Sequence, residues 1–456
     1  MKATPGATHH FVGIGGAGMS ALAQFHAMSG EAVTGSDRLL DRGELADLRA
    51  ALARLGIRFF PQDGSGVGPG TRQVTVSTAI EDAIPDVLRA RELGVPVVHR
   101  TDELARHVAA NRSIAVAGTS GKSTVTAMIY EILAASGDSP SLITGAGLRS
   151  LAEKGFMGNA WKGASDLLVI EADESDGTLP KYAPWLGVLL SLGKDHKELS
   201  ELEALFRQFK DRSKRFVVNA DAGNLAGFRE GSVTFGFNAG DVRGRDLEMD
   251  GGSCRFTVSG TGFSLAHPGL HNAMNALAAL AACLQAGVSL EAAAAALAAY
   301  KGISRRFEVV GSARGVEVVD DYAHNPDKVR AVLAAARLRS PRLLVVYQPH
   351  GFYPTRFLKH EFIEAFSAGL KPGDVLWFPD IYYVGGTTVK DIHSGHLAEP
   401  LRGRGLDARY VPDRAAIIPE IAAEGREGDL VLVLGARDPS LSSFAKAVLD
   451  ALGATA

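Results

Sequence analysis

Gly118-Thr-Ser-Gly121-Lys122-Ser123-Thr124 directly follows the apolar run Ser113 to Ala117 and precedes a helical stretch that reaches Leu133. A strand that breaks on glycine and resumes as a helix leaves the first N–H groups of that helix without carbonyl partners, so they point at whatever lies beyond the turn. Phosphate oxygens fit there. Lys122 adds a point charge for the β- and γ-phosphates, and the Ser123 hydroxyl can ligate Mg²⁺. Two residues separate the glycines, fewer than the four of the common GxxxxGK[ST] form. A glycine-rich turn beside a surface lysine would look similar, but the strand before, the helix after and the GKST core favour a nucleotide site.

The same alternation extends in both directions from this loop. Short β-branched runs recur at His10 to Ile14, Ala32 to Gly35, Gln73 to Ser77 and Val95 to His99. They recur again at Leu167 to Ile170, Trp185 to Ser191 and Phe216 to Asn219, then at Val316 to Asp320, Leu343 to Tyr347, Val375 to Pro379 and Leu430 to Leu434. Helical stretches lie between them, and Thr101 and Asp102 are expected to cap the one that runs into Asn111. This pattern predicts an α/β protein with largely parallel sheets. Ser232 to Leu265 reads as β-rich. His271 to Ala286 and the alanine-rich Leu290 to Tyr300 read as helices. A chain of 456 residues exceeds one hydrophobic core. We expect three domains, 1–110, 111–303 and 304–456.

A second glycine turn, Gly13-Ile-Gly15-Gly16-Ala17-Gly18, also joins strand to helix, and Asp37 follows about 20 residues later. This is the pattern of a dinucleotide fingerprint, and an NAD-linked oxidoreductase is one reading of it. Its physics is broader. Glycines admit any diphosphate to the backbone, and a carboxylate can grip any ribose hydroxyl. UDP satisfies the same geometry.

Glu171-Ala-Asp173-Glu174-Ser175-Asp176 stands at the end of an apolar strand, where open α/β sheets bind ligands. Four acids in six residues need a cation nearby, Mg²⁺ on ATP phosphates for instance, or else form a solvated loop. Lys194-Asp195-His196 follows the next strand. Asn272 and Asn275 open a helix on one face, where they could read an adenine edge or serve as caps, and caps are the simpler reading.

Bulk properties exclude several classes. Hydrophobic residues make up 46%, charged residues 22%, and the net charge is −3. That gives no basic stripe for nucleic acid. Cys254 and Cys283 offer neither a disulfide framework nor a metal spacing. The opening residues lack the charged region and apolar run of a secretory signal, and the most apolar helix is shorter than the roughly 20 residues of a bilayer span. The expectation is a cytoplasmic protein, monomeric or a homodimer.

Taken in order, these motifs resemble the Mur ligase family along nearly the whole chain, and within it the branch that adds an amino acid directly to UDP-N-acetylmuramate. The resemblance rests on His10 to Met19, Gly35-Ser36-Asp37, Ser77-Thr78-Ala79-Ile80, the phosphate loop, Glu171 to Asp176, Asp195-His196 and His271-Asn272. It continues through Arg305-Arg306-Phe307-Glu308, Asp320 to His324 and Gln348-Pro349-His350. It implies a UDP-sugar domain, a central ATP domain and a Rossmann-like third domain. The implied reaction is ATP-dependent ligation through an acyl phosphate in peptidoglycan precursor synthesis, with L-alanine as the first candidate amine.

By matching positions, the resemblance gives Gly13, Gly15, Gly16, Ala17, Gly18, Met19, Ser20, Asp37 and Ser77 to the UDP-sugar. It gives Gly118, Thr119, Ser120, Gly121, Lys122, Ser123 and Thr124 to the ATP phosphates, and Asn272 and Asn275 to adenine. Ser123 is the implied ligand of a Mg²⁺ between the ATP phosphates, and Glu171 and His196 of a second Mg²⁺ near the acyl phosphate, with Mn²⁺ as a substitute ion. Arg306 and Asp321 would reach ATP from the third domain, making Lys122, Glu171, His196, Arg306 and Asp321 the catalytic set. His324, His350 and Arg356 would lie on the substrate side. The chain departs from the family where GTHGKT becomes GTSGKS at 118–123 and where QPHRYTRTR loses two arginines to Gly351 and Pro354. A GAGDI-like segment also becomes Gly435-Ala-Arg437-Asp438-Pro439. A Mur ligase that attaches a whole tripeptide is the nearest rival, although its third-domain motif usually begins EPRS.

Overall fold

The computed structural model describes residues 7–174, 177–193, 198–383, 389–438 and 440–454. Three sheets carry the fold. The first holds β1 (Thr8–Val12), β2 (Ala32–Ser36), β3 (Arg58–Phe59), β4 (Thr71–Val76) and β5 (Val97–His99), in the order β3-β2-β1-β4-β5 and parallel throughout.

The second sheet contains β6 (Arg112–Ala117), β7 (Ser141–Ile143), β8 (Ala160–Trp161), β9 (Leu167–Glu171), β10 (Leu186–Leu189), β11 (Arg215–Asn219) and β12 (Val233–Gly236). It continues through β13 (Val242–Met249), β14 (Cys254–Val258) and β15 (Thr261–Leu265), in the order β15-β14-β13-β12-β11-β10-β6-β9-β7-β8. Strand β6 lies parallel between β10 and β9, with Ala117 opposite Leu189 and Val116 opposite Glu171. Their carboxyl ends therefore open side by side, and the loops after all three strands meet. The ligand crevice of an open parallel sheet forms at such a place.

The third sheet consists of β16 (Glu308–Ala313), β17 (Val316–Asp321), β18 (Leu343–Gln348), β19 (Val375–Phe378), β20 (Asp407–Tyr410) and β21 (Leu430–Gly435), in the order β16-β17-β21-β18-β19-β20. Only the edge pair β16–β17 is antiparallel among its pairings. Leu343, Val345 and Tyr347 join one apolar cluster with Leu430, Leu432 and Leu434, while Leu344 and Val346 join another with Val431 and Val433. Alternate residues of an unbroken apolar run thus enter opposite cores, which is why the run carries no polar face.

The chain divides into two compact units. One comprises Met1–Arg245, Thr257–Phe263 and Met274–Ile303, and the other Asp246–Phe256, Ser264–Ala273 and Ser304–Ala456. In the first unit a single core includes Phe11 and Leu22 beside β1 together with Ile170 and Phe206 beside β9 and β10. Gln24 Nε2 donates to Asn159 Oδ1 across 2.8 Å in the same interior. No helix among the described residues is long and apolar enough to cross a membrane.

Two local expectations need correction. The helix Arg100–Ala110 is capped by His99, whose side chain accepts from the Thr101 N–H, so Thr101 and Asp102 already lie in its first turn. The helix Leu270–Gln285 begins before Asn272, so neither Asn272 nor Asn275 caps it. Asn272 Nδ2 instead donates to Pro268 O at 2.8 Å.

Candidate active site

The phosphate loop takes the backbone path that its glycines permit. Gly118 and Gly121 have φ values of +130° and +87°, and Gly121 immediately precedes the helix Lys122–Ala135. A Cβ on Gly121 would come within 2.5 Å of Asn275 Oδ1. The Asn275 amide therefore lies against the loop. Ser191, just past β10, pins the other side: its Oγ accepts from Ser120 N at 3.0 Å and lies 3.2 Å from Thr119 Oγ1. Thr119 N also donates to Ser191 O at 3.2 Å.

Two carboxylates at the end of β9 divide the loop's polar side chains. Lys122 Nζ donates to both Glu174 oxygens, at 3.0 and 2.8 Å, and lies 3.7 Å from Asp173. Burial works against its charge, but Glu174, Asp173 and Glu171 together outweigh that and hold the ammonium above its ordinary range. Glu171 accepts from Ser123 Oγ at 3.0 and 2.9 Å, from Thr144 Oγ1 at 2.9 Å and from Gly145 N at 2.8 Å. A Mg²⁺ with bonds of about 2.0–2.1 Å sets adjacent oxygens about 2.9 Å apart. The Ser123–Glu171 spacing fits such an ion, and both donors are the hard oxygens it prefers. His196 lies outside the described residues, as do Ser175, Asp176 and Asp195.

At the first glycine turn, Gly13 and Ile14 N–H groups donate to Ser36 O at 2.8 and 3.1 Å. The Asp37 carboxylate accepts from Gly15 N at 2.9 Å through one oxygen and from Leu39 N at 2.8 Å through the other. Asp37 thus clamps the turn as well as standing beside it. Gly16 precedes the helix Ala17–Met28, which no side chain caps. Met19 and Ser20 face inward, buried. The Ser20 hydroxyl donates to Ala17 O at 3.0 Å and lies 3.3 Å from Asn159 Nδ2. Ser77 is half-buried, its hydroxyl 3.4 Å from Ala79 N.

In the second unit, Arg305 and Phe307 flank Arg306 with left-handed φ values of +57° and +48°. Asp321 is the clasp for this turn, accepting from Phe307 N and Ala323 N at 2.7 Å each. Burial raises its pKa, against the Arg306 charge and these two N–H groups. The Arg306 guanidinium sits 4.8 Å from the Tyr322 ring centre. His324 and His350 meet edge to face at 5.4 Å. Burial, then Lys328 and His350, push His324 well below the usual imidazole range, and its Nδ1 donates to Tyr322 O at 2.9 Å. Arg356 pairs with Asp391.

Family models cover most of the chain: "Mur ligase family, catalytic domain" over residues 8–112, "Mur ligase middle domain" over 116–283, and "Mur ligase, glutamate ligase domain" over 305–437. The UDP-N-acetylmuramate–L-alanine ligase of Paenarthrobacter aurescens is 37% identical, with 97% of each chain covered. The chain belongs to the Mur ligase family. The enzyme of the same name from Acidithiobacillus ferrooxidans is 35% identical over 94% of each chain. The crystal structure of UDP-N-acetylmuramate-alanine ligase from Thermotoga maritima superposes with a TM-score of 0.81 at 26% identity, covering 98% of this chain and all of that one. With Gly13 to Gly18 inside a Mur ligase match, the NAD-linked oxidoreductase alternative falls away.

Several residues of this ligase's site escaped sequence reasoning. Glu174 looked like one acid among four. Ser191 and Thr144 each stand one or two residues past a strand end, and β7, which leads to Thr144, is too short to read as a strand. The rule that ligand groups gather at the carboxyl ends of parallel strands would have pointed to Ser191.

Proposed function

We propose that this chain is an ATP-dependent ligase that joins L-alanine to UDP-N-acetylmuramate in the making of peptidoglycan precursors. The observation that carries the ATP half is the grouping of Lys122, Ser123, Glu171 and Glu174 at one strand-end crevice. The two relatives named above, both alanine ligases with 94–97% coverage, support the substrate half. On this reading the working boundaries are 1–110, 111–303 and 304–456.

The reaction has two steps. The lactyl carboxylate of the sugar attacks the γ-phosphorus and ADP leaves, giving an acyl phosphate. The alanine amine then adds to the acyl carbon, loses a proton, and the tetrahedral species expels inorganic phosphate to leave an amide. Phosphoryl transfer needs alignment and charge neutralisation above all. Lys122 exchanges Glu174 for the β- and γ-phosphates. The loop N–H groups of Gly118 to Thr124 orient the chain of phosphates, and Asn272 and Asn275 take the adenine. Ser123 would hold one Mg²⁺ and Glu171 with His196 a second, and these ions, or Mn²⁺ in their place, would supply further charge neutralisation. The family resemblance assigns Arg306 and Asp321 to ATP, and Asp321 also clasps the turn that carries Arg306. Gly13, Gly15, Gly16, Ala17, Gly18, Asp37 and Ser77 line the UDP-sugar, with Met19 and Ser20 supporting them from the interior. His324, His350 and Arg356 face the amine.

ADP release with UDP-N-acetylmuramate and separate amines tests this. L-Alanine should outpace glycine, L-serine and the L-Ala-γ-D-Glu-diaminopimelate tripeptide. Turnover with the tripeptide alone would make the chain a recycling ligase instead.

A further inference from the structure

Away from the glycine turn, at the far end of the helix Ala17–Met28, three histidines and two glutamates are packed together inside the first unit. His26 Nδ1 donates to Glu31 Oε2 at 3.0 Å, so that nitrogen is spoken for and Nε2 is turned the other way. Nε2 meets His107 Nε2 at 3.3 Å and Glu103 Oε1 at 3.4 Å, while His107 Nε2 stands 3.7 Å from the same Glu103 oxygen. The other Glu103 oxygen accepts from Gln73 Nε2 at 3.0 Å and from Arg106 at 2.7 Å.

We propose that His26 Nε2, Glu103 Oε1 and His107 Nε2 form a site for a zinc-class divalent transition metal. A tetrahedral ion with bonds of about 2.0–2.1 Å keeps its ligands about 3.3–3.4 Å apart. The three edges of this triangle, 3.3, 3.4 and 3.7 Å, lie on or just above that spacing. Two imidazoles and one carboxylate are a donor set that zinc accepts, with water on the fourth corner. The His107 side chain is 21% exposed, which gives that water and the ion a way in.

The surrounding groups are those that a metal site requires. A histidine ligand ordinarily donates its second nitrogen to a carboxylate, which fixes the tautomer, and Glu31 does this for His26. Gln73 and Arg106 orient the Glu103 carboxylate in the same way. His9, only 5% exposed, lies 4.6 Å from the His26 ring at a tilt of 38°, with its Nε2 3.3 Å from the Glu31 oxygen that also accepts from His26.

The consequence is structural. His26 belongs to the helix that starts at the first glycine turn. Glu103 and His107 belong to the helix Arg100–Ala110, which feeds β6 and so the phosphate loop. An ion there ties the two together.

The full-length protein, stripped with chelator, is titrated with Co²⁺ alone and then with Zn²⁺. One equivalent of Co²⁺ should develop the visible bands of a tetrahedral N/O site, which Zn²⁺ should bleach, and Zn²⁺ should raise the melting temperature. His107→Ala, on a partly exposed helix face, should weaken binding by at least ~100-fold, and Glu103→Gln by at least ~10-fold. Glu171→Ala should leave the bands in place, which separates this site from the phosphate loop. Absence of the bands, or bands that persist in both His107→Ala and Glu103→Gln, would overturn the site and leave an interior ion-pair network in its stead.

Discussion

Half-buried Lys122 and buried Glu174 form a bidentate pair at the head of the phosphate loop, with Nζ 2.8 Å from one carboxylate oxygen and 3.0 Å from the other. Glu174 holds the lysine in the place where phosphate would compete for it. The pair therefore has two roles that substitution can separate.

Lys122→Ala should reduce ADP release by at least ~100-fold, because the charge on the β- and γ-phosphates is lost. It should also destabilise the fold by about 3–5 kcal/mol, since it leaves Glu174 buried with its main counter-charge gone. Adding Glu174→Gln to Lys122→Ala should recover much of the melting temperature and none of the activity. If the double variant melts no higher than Lys122→Ala, the pair is not the source of the loss.

The Ser123–Glu171 contact leads to a metal prediction. Ser123→Ala and Glu171→Ala should both raise the Mg²⁺ concentration needed for half-maximal ligation, Glu171→Ala the more so, because a carboxylate is the stronger ligand for a hard cation. Glu174→Ala should shift it less. Magnesium titrations in which Glu174→Ala shows the largest shift would move the ligand to the wrong side of the loop for this account.

How much of this could be read from residues alone varies with burial. Leu343 to Tyr347 and Leu430 to Leu434 announce themselves, because strands buried on both faces must be apolar throughout. Edge strands escape: β16 has the burial pattern of a half-solvated strand and β20 carries Asp407 and Arg409, so neither shows a continuous run. The loop at Gly118 to Thr124 was legible since its chemistry is local in sequence. The division of labour between Glu171 and Glu174 was not. It depends on which carboxylate meets Ser123 and which meets Lys122, and three residues of spacing do not settle that. Asp37 and Asp321 show the same limit. Both were expected to touch ligand, and both spend their oxygens on backbone N–H groups that shape a turn.

His10 supplies a pH dependence. It is fully buried, lies 2.9 Å from Thr34 Oγ1, and burial lowers its pKa to about 4. The folded state thus favours the neutral ring, whereas the unfolded chain takes up a proton near pH 6.5. Stability from this group is complete above about pH 6.5 and is lost as pH falls toward 4, by up to about 3 kcal/mol. Denaturant unfolding of wild type and His10→Asn at several pH values should show the difference between them shrinking across that window. A constant difference would remove His10 from the acid response.

The glycine turn allows the UDP-sugar assignment to be tested apart from folding. A Cβ on Gly15 would come within 2.8 Å of Asp37 Oδ2 and 2.9 Å of Leu45 Cδ1, so Gly15→Val should disturb the clamp and lower the melting temperature. At Gly16 the nearest atom to a new Cβ is Gly13 O at 3.5 Å, an ordinary contact, and the backbone has φ −65°. Gly16→Val should therefore fold. Its branched side chain would nonetheless stand at the helix N-terminus, where a diphosphate must approach the backbone. Calorimetry should show UDP-N-acetylmuramate binding without ATP in the wild type and none in Gly16→Val, while a non-hydrolysable ATP analogue binds both alike. NAD should not compete in either. If Gly16→Val binds the UDP-sugar as tightly as wild type, the diphosphate does not sit on this turn, and the contacts assigned to Gly13, Gly15 and Gly16 fall together.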